Sequence, residues 1–161
     1  MKTNTMNKSF DDNTLTNKAA ELFWQDYNCA QAVLGAYTDF FQIDKETAFS
    51  LSCGLGAGMG RLQGTCGAVS AAYMIFGLAN TDAKDNPEKV ANTYAMVQQF
   101  HKRYTEDKGT TVCKELINCD LNTEEGQNHF KTNNLKKNIC EGCIRHSVKL
   151  INSMLRENIG K

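Results

Sequence analysis

Seven cysteines in a 161-residue chain are the residues best able to do chemistry, and four of them fall where a helix should begin. Asn28 followed by Gln31 has the pattern of a capping box, which places Cys29 at the first helical position. Thr65, standing before a small apolar run, places Cys66 the same way, with Gly67 and Ala68 behind it. Thr110 or Thr111 would cap a helix carrying Cys113 in its first turn, and Asn138 with Glu141 makes a second capping box around Cys140. A first-turn thiol faces unpaired backbone N–H groups and the positive end of the helix dipole, and both favour its thiolate. At least one of Cys29 and Cys66 is therefore expected to titrate below the free-thiol value of about 8.5.

Magnitudes limit what four such thiols can do together. A helix end contributes about 0.3–1 kcal/mol, and up to about 2 kcal/mol when partly buried. Two thiolates ~5 Å apart repel by about 3 kcal/mol at an effective dielectric of about 20. Four bare thiolates cannot share one site. If Cys29, Cys66, Cys113 and Cys140 converge, most are neutral or disulfide-linked, or a cation such as zinc or an iron–sulfur cluster holds them.

The remaining thiols read differently. Cys140 and Cys143 form a C-x-x-C with His146 one turn later, which suits a redox pair or half of a zinc site. An alternative metal set is thus Cys113, Cys140, Cys143 and His146. Cys53 and Cys119 read as structural, and His101 and His129 as solvated. The glycine-rich stretch 53–67 has neither G-x-G-x-x-G nor the lysine of a P-loop, so it is no phosphate cradle. Its expected use is tight turns, with Gly64, Thr65 and Gly67 bringing backbone amides near sulfur.

The elements that must position these thiols are helical. Apolar residues recur at three and four along Leu15–Phe23, Ala30–Phe41 and Val90–Phe100, and Ile144, Val148, Ile151 and Leu155 form a last stripe. Asp44 can cap a helix through Leu51, and Pro87 after Asn86 suits a first helical position. Residues 120–137 read as looser, and no alternating strand pattern of useful length occurs. The expectation is an all-α bundle with a glycine-rich connector between helices: a tail over 1–11 and one domain over 12–161.

Eighteen basic against eighteen acidic residues give zero formal charge, so nucleic acid and anionic membranes are not expected partners. The longest nearly apolar run, Val69–Ala79, is shorter than the ~20 residues of a membrane span. The start of the chain has no secretion signal, so the cytoplasm is the expected compartment. In a reducing compartment cysteines serve metal, redox chemistry or the core more often than permanent disulfides.

With those residues in place, a resemblance emerges. The segments Tyr27–Val33, Gly58–Arg61, Thr65–Ser70, Cys113–Leu116 and Cys140–Ile144 resemble the bacterial and archaeal C_GCAxxG_C_C family, described as redox-active and named for four cysteines. The resemblance spans roughly residues 15–155 and implies that the four are Cys29, Cys66, Cys113 and Cys140. Cys143 competes for the last place, but Ile144 stands where the family has an apolar residue and favours Cys140. Ala71 replaces the motif's final glycine. The family is similar to a domain of split-Soret cytochromes, which hold an iron–sulfur site beside hemes; without C-x-x-C-H, covalent heme is not implied here.

Together these readings give a redox-active protein. It either binds an iron–sulfur cluster or other metal, or cycles dithiol and disulfide, with an electron-transfer partner and a homodimer as expected associations. A zinc-binding interaction module without redox chemistry and a plain helical domain with buried thiols are the alternatives.

Overall fold

The computed structural model describes residues 11–80 and 86–158. Most of the expected tail lies outside them; Asp11 instead belongs to the fold, as the N-cap of α1 (Asp12–Trp24). Among the described residues the architecture is all-α. Extended pairing among them is confined to one isolated bridge between Thr65 and Val112.

Local chemistry starts most helices where the sequence predicts. Asn28 and Gln31 close the capping box of α2 (Cys29–Ala36): Asn28 Oδ1 accepts from the Gln31 amide at 3.0 Å, and Gln31 Oε1 accepts from the Asn28 amide at 3.0 Å. Tyr37 interrupts this helix before a short α3 (Thr38–Phe41). Asp44 caps α4 (Lys45–Cys53), and Asn86 with Pro87 opens α7 (Pro87–Lys108), which Gly109 ends at φ 83°.

The core forms around α2, which packs against α1, α4 and α6 (Gly67–Ala79), while α10 (Glu141–Asn158) closes on α1, α6 and α7. Small buried residues on α6, Ala68, Ala71 and Ala72, let the helices approach closely. Ala71, in place of the motif's glycine, is fully buried, so its methyl has been accommodated. Ile144, Val148 and Ile151 are completely covered and Leu155 nearly so; the stripe read from the sequence is the face α10 buries. Its rotation is set at the rim. Arg156 holds Asp12 bidentately at 2.7 and 2.8 Å, and Trp24 Nε1 donates to Glu141 at 2.8 Å.

Two local expectations are corrected. Residues 120–137 are not loose: α9 (Glu124–Thr132) begins there, with Thr123 accepting from the Gly126 amide at 3.0 Å. This helix buries only Gly126, so it carries no apolar period to read. Second, Asn138 and Glu141 form no capping box. A π-helical turn, Lys136–Cys140, runs into α10; Asn138 Nδ2 donates to the Asn133 carbonyl, while Glu141 accepts from Trp24 and Arg145.

Candidate functional site

Five cysteines line one small cavity. Cys29, Cys66, Cys113, Cys140 and Cys143 surround about 20 Å³, with Ala57, Gly58, Gly67, Leu116 and Ile117 completing the wall. The four thiols singled out by helix starts are thus brought together, and Cys143 joins them. His146 is not part of the lining: its Nε2 lies 3.1 Å from Asp107 Oδ2, and its ring meets that of Tyr104 at 5.4 Å. Cys53 is exposed at the end of α4 and Cys119 is half-buried beyond α8 (Cys113–Ile117).

Each thiol arrives by a different local route. Cys29 is the first residue of α2. Cys66 is the N-cap of α6 rather than its first residue, because Gly67 begins that helix. Cys113 opens α8 behind Val112, and Thr110 supports that entry by accepting from the Val112 amide at 3.0 Å. Cys140 closes the π-helical turn and has no helix start of its own. Cys143 follows one turn later on α10. Gly67 lets α2 and α6 meet at their starts: a Cβ there would lie 3.2 Å from Cys29 Cβ and 3.0 Å from the Ala30 amide nitrogen.

The fourth wall is a left-handed segment. α5 (Gly56–Met59) is helical in name only, and positive φ angles occur at Ala57, Gly58, Met59, Gly60, Arg61 and Gln63. Gln63 pins it: Nε2 donates to the Cys119 carbonyl at 2.9 Å, and Oε1 accepts from the Leu121 amide at 2.8 Å. Of the amides expected near sulfur, that of Gly64 is committed elsewhere, donating to the Gly58 carbonyl at 3.0 Å. Gly67 alone of Gly64, Thr65 and Gly67 lines the cavity.

Neighbouring thiols, reinforced by burial, reverse the electrostatics expected from helix starts. Cys29 and Cys66 both titrate well above the ordinary thiol value, not below it. The Cys29 thiol hydrogen-bonds Cys140, and burial adds to the shift; the Cys66 thiol hydrogen-bonds Cys143, again reinforced by burial. The Ala68 amide favours the Cys66 thiolate but is the weakest influence on it. Cys113 is pushed up to about 12, by burial first and then by the charges its neighbours would carry. A few tenths to 2 kcal/mol from a helix end cannot offset removal from water.

One thiol moves the other way. Cys143 is held down at about 6, chiefly because Cys66 donates to its thiolate, with help from the Tyr104 hydroxyl and the charge of Lys108. Tyr104 is fully buried, and its hydroxyl has no hydrogen-bond partner among the described residues, which leaves it as a donor available to the Cys143 thiolate. Phenylalanine at Tyr104 keeps the ring and removes that donor, so the Cys143 pKa should rise toward the ordinary thiol range. The pH midpoint of iodoacetamide alkylation at Cys143 reads this out, and an unchanged midpoint rules out the contact.

A metal fits this arrangement poorly. Among the described residues no group of three or more His, Cys, Asp or Glu side chains is disposed to hold an ion. The cavity has room for about one water. His146 does not line this cavity, which takes it out of the zinc set with Cys113, Cys140 and Cys143.

No helix among the described residues is long and apolar enough to cross a membrane. A family model described as "Putative redox-active protein (C_GCAxxG_C_C)" matches residues 27–154. No curated protein and no solved structure matches the chain.

Proposed function

The chain belongs to the C_GCAxxG_C_C family of redox-active proteins, and from that membership we propose that it is a two-electron thiol–disulfide carrier whose working couple is Cys29–Cys140. The observation that carries this reading is the placement of the Cys29 and Cys140 thiols beside each other at one small cavity. A pair already in contact can form a disulfide with little backbone movement. Both residues are half-buried, whereas Cys66, Cys113 and Cys143 are buried, so the pair is the better placed to meet a partner.

The reaction is ordinary exchange. One thiolate of the couple attacks a disulfide of the partner, a mixed disulfide forms, and one partner sulfur leaves as thiolate. The second thiol of the couple, losing its proton, attacks the mixed disulfide. The partner departs as a dithiol, and Cys29–Cys140 is oxidised by two electrons. Reduction runs the same steps backward from a dithiol donor. The partner is thus a protein or low-molecular-mass thiol in its disulfide form.

The test is disulfide mapping of the folded full chain. Mild oxidation with oxidised glutathione, followed by alkylation and peptide mass analysis, should find Cys29 joined to Cys140 and reversed by dithiothreitol. Cys53→Ser should behave as wild type. Oxidation confined to Cys53 and Cys119, or no reversible disulfide at all, would overturn the proposal.

A further inference from the structure

We propose that the cavity holds two dithiol couples, and that Cys143 passes oxidising equivalents from the outer Cys29–Cys140 couple to an inner Cys66–Cys143 couple. This deepens the reading above and rests on it. Cys143 competes with Cys140 for the last of the four family positions, and both line the same cavity as Cys29, Cys66 and Cys113. Cys66 and Cys143 are in contact through their thiols, as Cys29 and Cys140 are. The two pairs differ in access: Cys66 is 6% and Cys143 4% exposed, while Cys29 and Cys140 are half-buried. As residues, Cys29 and Cys140 are the more exposed pair, so a bulky disulfide partner meets them first.

Topology joins the pairs at two points. Cys140 and Cys143 stand three residues apart, across the junction of the π-helical turn with α10. Cys29 and Cys66 stand at the abutting starts of α2 and α6, where Gly67 removes the side chain that would hold them apart. A π-helical turn re-aims the residues at its end and is common at functional sites. Here its last residue is Cys140.

The exchange balances without an outside reagent. With Cys29–Cys140 oxidised, the Cys143 thiolate attacks Cys140 Sγ. The Cys140–Cys143 bond forms, the Cys29–Cys140 bond breaks, and Cys29 Sγ leaves as thiolate. Cys66 then gives up its proton and attacks Cys143 Sγ. The Cys66–Cys143 bond forms and Cys140 Sγ leaves as thiolate. Two electrons have moved from the inner couple to the outer one. The proton lost by Cys66 is matched by the one Cys29 takes up, and one negative charge remains throughout, first on Cys143 and finally on Cys140. The outer couple, reduced again, can accept a second oxidation, so the chain stores four electrons rather than two.

The experiment is quenched-flow oxidation of the full chain with one and then two equivalents of diamide, with acid trapping and disulfide mapping. In the wild type, Cys29–Cys140 should appear first and decline as Cys66–Cys143 rises, and two equivalents should consume four thiols. Cys66→Ser should stop the exchange midway and accumulate Cys140–Cys143. Cys140→Ser should slow formation of Cys66–Cys143 about tenfold or more, because its route through Cys140 is gone. Cys143→Ser should halve the capacity to two thiols while Cys29–Cys140 still forms. An inner disulfide that forms as fast in Cys140→Ser as in wild type overturns the relay. So does a wild type that stops at Cys29–Cys140, and there the carrier reading survives. Absence of Cys29–Cys140 from every sample sinks both. The wild-type time course decides the matter even where a serine variant fails to fold.

Discussion

Alanine at Gly58 is expected to destabilise the protein by about 3–4 kcal/mol, whereas alanine at Gly60 should cost only about 1 kcal/mol. The two glycines share a left-handed conformation, with φ of 69° and 62°. For a residue with a side chain that conformation costs about 1–2 kcal/mol. They differ in space. A Cβ at Gly58 would lie 2.7 Å from Cys113 Cβ and 2.8 Å from the Gln63 backbone, while at Gly60 the nearest atom is 3.6 Å away. The overlap at Gly58 adds a term of the overpacking kind, about 2 kcal/mol. Its neighbours cannot give way easily: Gln63 is held by its side chain at two points, and the Cys113 amide donates to the Gly64 carbonyl at 2.7 Å. In thermal melts the Gly58 variant should lose roughly 10 °C and the Gly60 variant roughly 3 °C, from about 2–4 °C per kcal/mol at this size. Equal losses would mean that the segment does not press on Cys113. Since Gly58 also walls the cavity, its variant should displace Cys113 before it unfolds the bundle.

Helix starts and buried stripes were legible because both are written in residues near one another in sequence. Asn28–Gln31, Asp44 and Asn86–Pro87 each satisfy amides within three positions, and the α10 stripe follows from period alone. The meeting of Cys29, Cys66, Cys113 and Cys140 at one cavity was reachable from their shared placement near helix starts, though three of the four caps proved wrong. Cys66 is itself a cap, Val112 stands at the N-cap before Cys113 in place of Thr110 or Thr111, and Cys140 ends a π-helical turn. What local pattern could not give is the sign of the electrostatics. A thiol's proton affinity here is set by which other sulfur it touches and how little water reaches it, and both depend on residues far away in sequence. Cys143 shows this best. Its lowered pKa comes from Cys66 and Tyr104, residues on two other helices, and the C-x-x-C spacing was its only local signal. The left-handed run from Ala57 to Gln63 was equally hidden. Four of its six positive-φ positions are not glycine, and Gln63's bonds to Cys119 and Leu121 help to impose that conformation.

The same sulfurs should make stability strongly pH-dependent on the alkaline side. An unfolded cysteine loses its proton near pH 8.5. Cys143 is held at about 6 in the fold, so between about pH 6 and 8.5 the unfolded chain binds the extra proton and stability rises with pH. Cys29, Cys66 and Cys113 have raised values, so above about 8.5 the folded chain keeps protons that the unfolded chain releases. Their contribution is complete below 8.5 and is lost as pH climbs. Each retained proton costs about 1.4 kcal/mol per pH unit. Cys29 and Cys66 together therefore remove about 3 kcal/mol per unit, and Cys113 adds to the slope until about pH 12. Against a typical total stability of about 5–15 kcal/mol, the reduced protein should unfold within two or three units of its optimum. Urea midpoints of the fully reduced chain under argon, taken from pH 6 to 11, should peak between 8 and 9 and fall steeply beyond. Cys143→Ser should flatten the acid limb and, because it removes the thiolate that Cys66 donates to, also soften the alkaline one, while Cys29→Ala should make the alkaline limb shallower by one proton. An alkaline limb that keeps its slope in Cys29→Ala would mean that this thiol does not hold its proton in the fold.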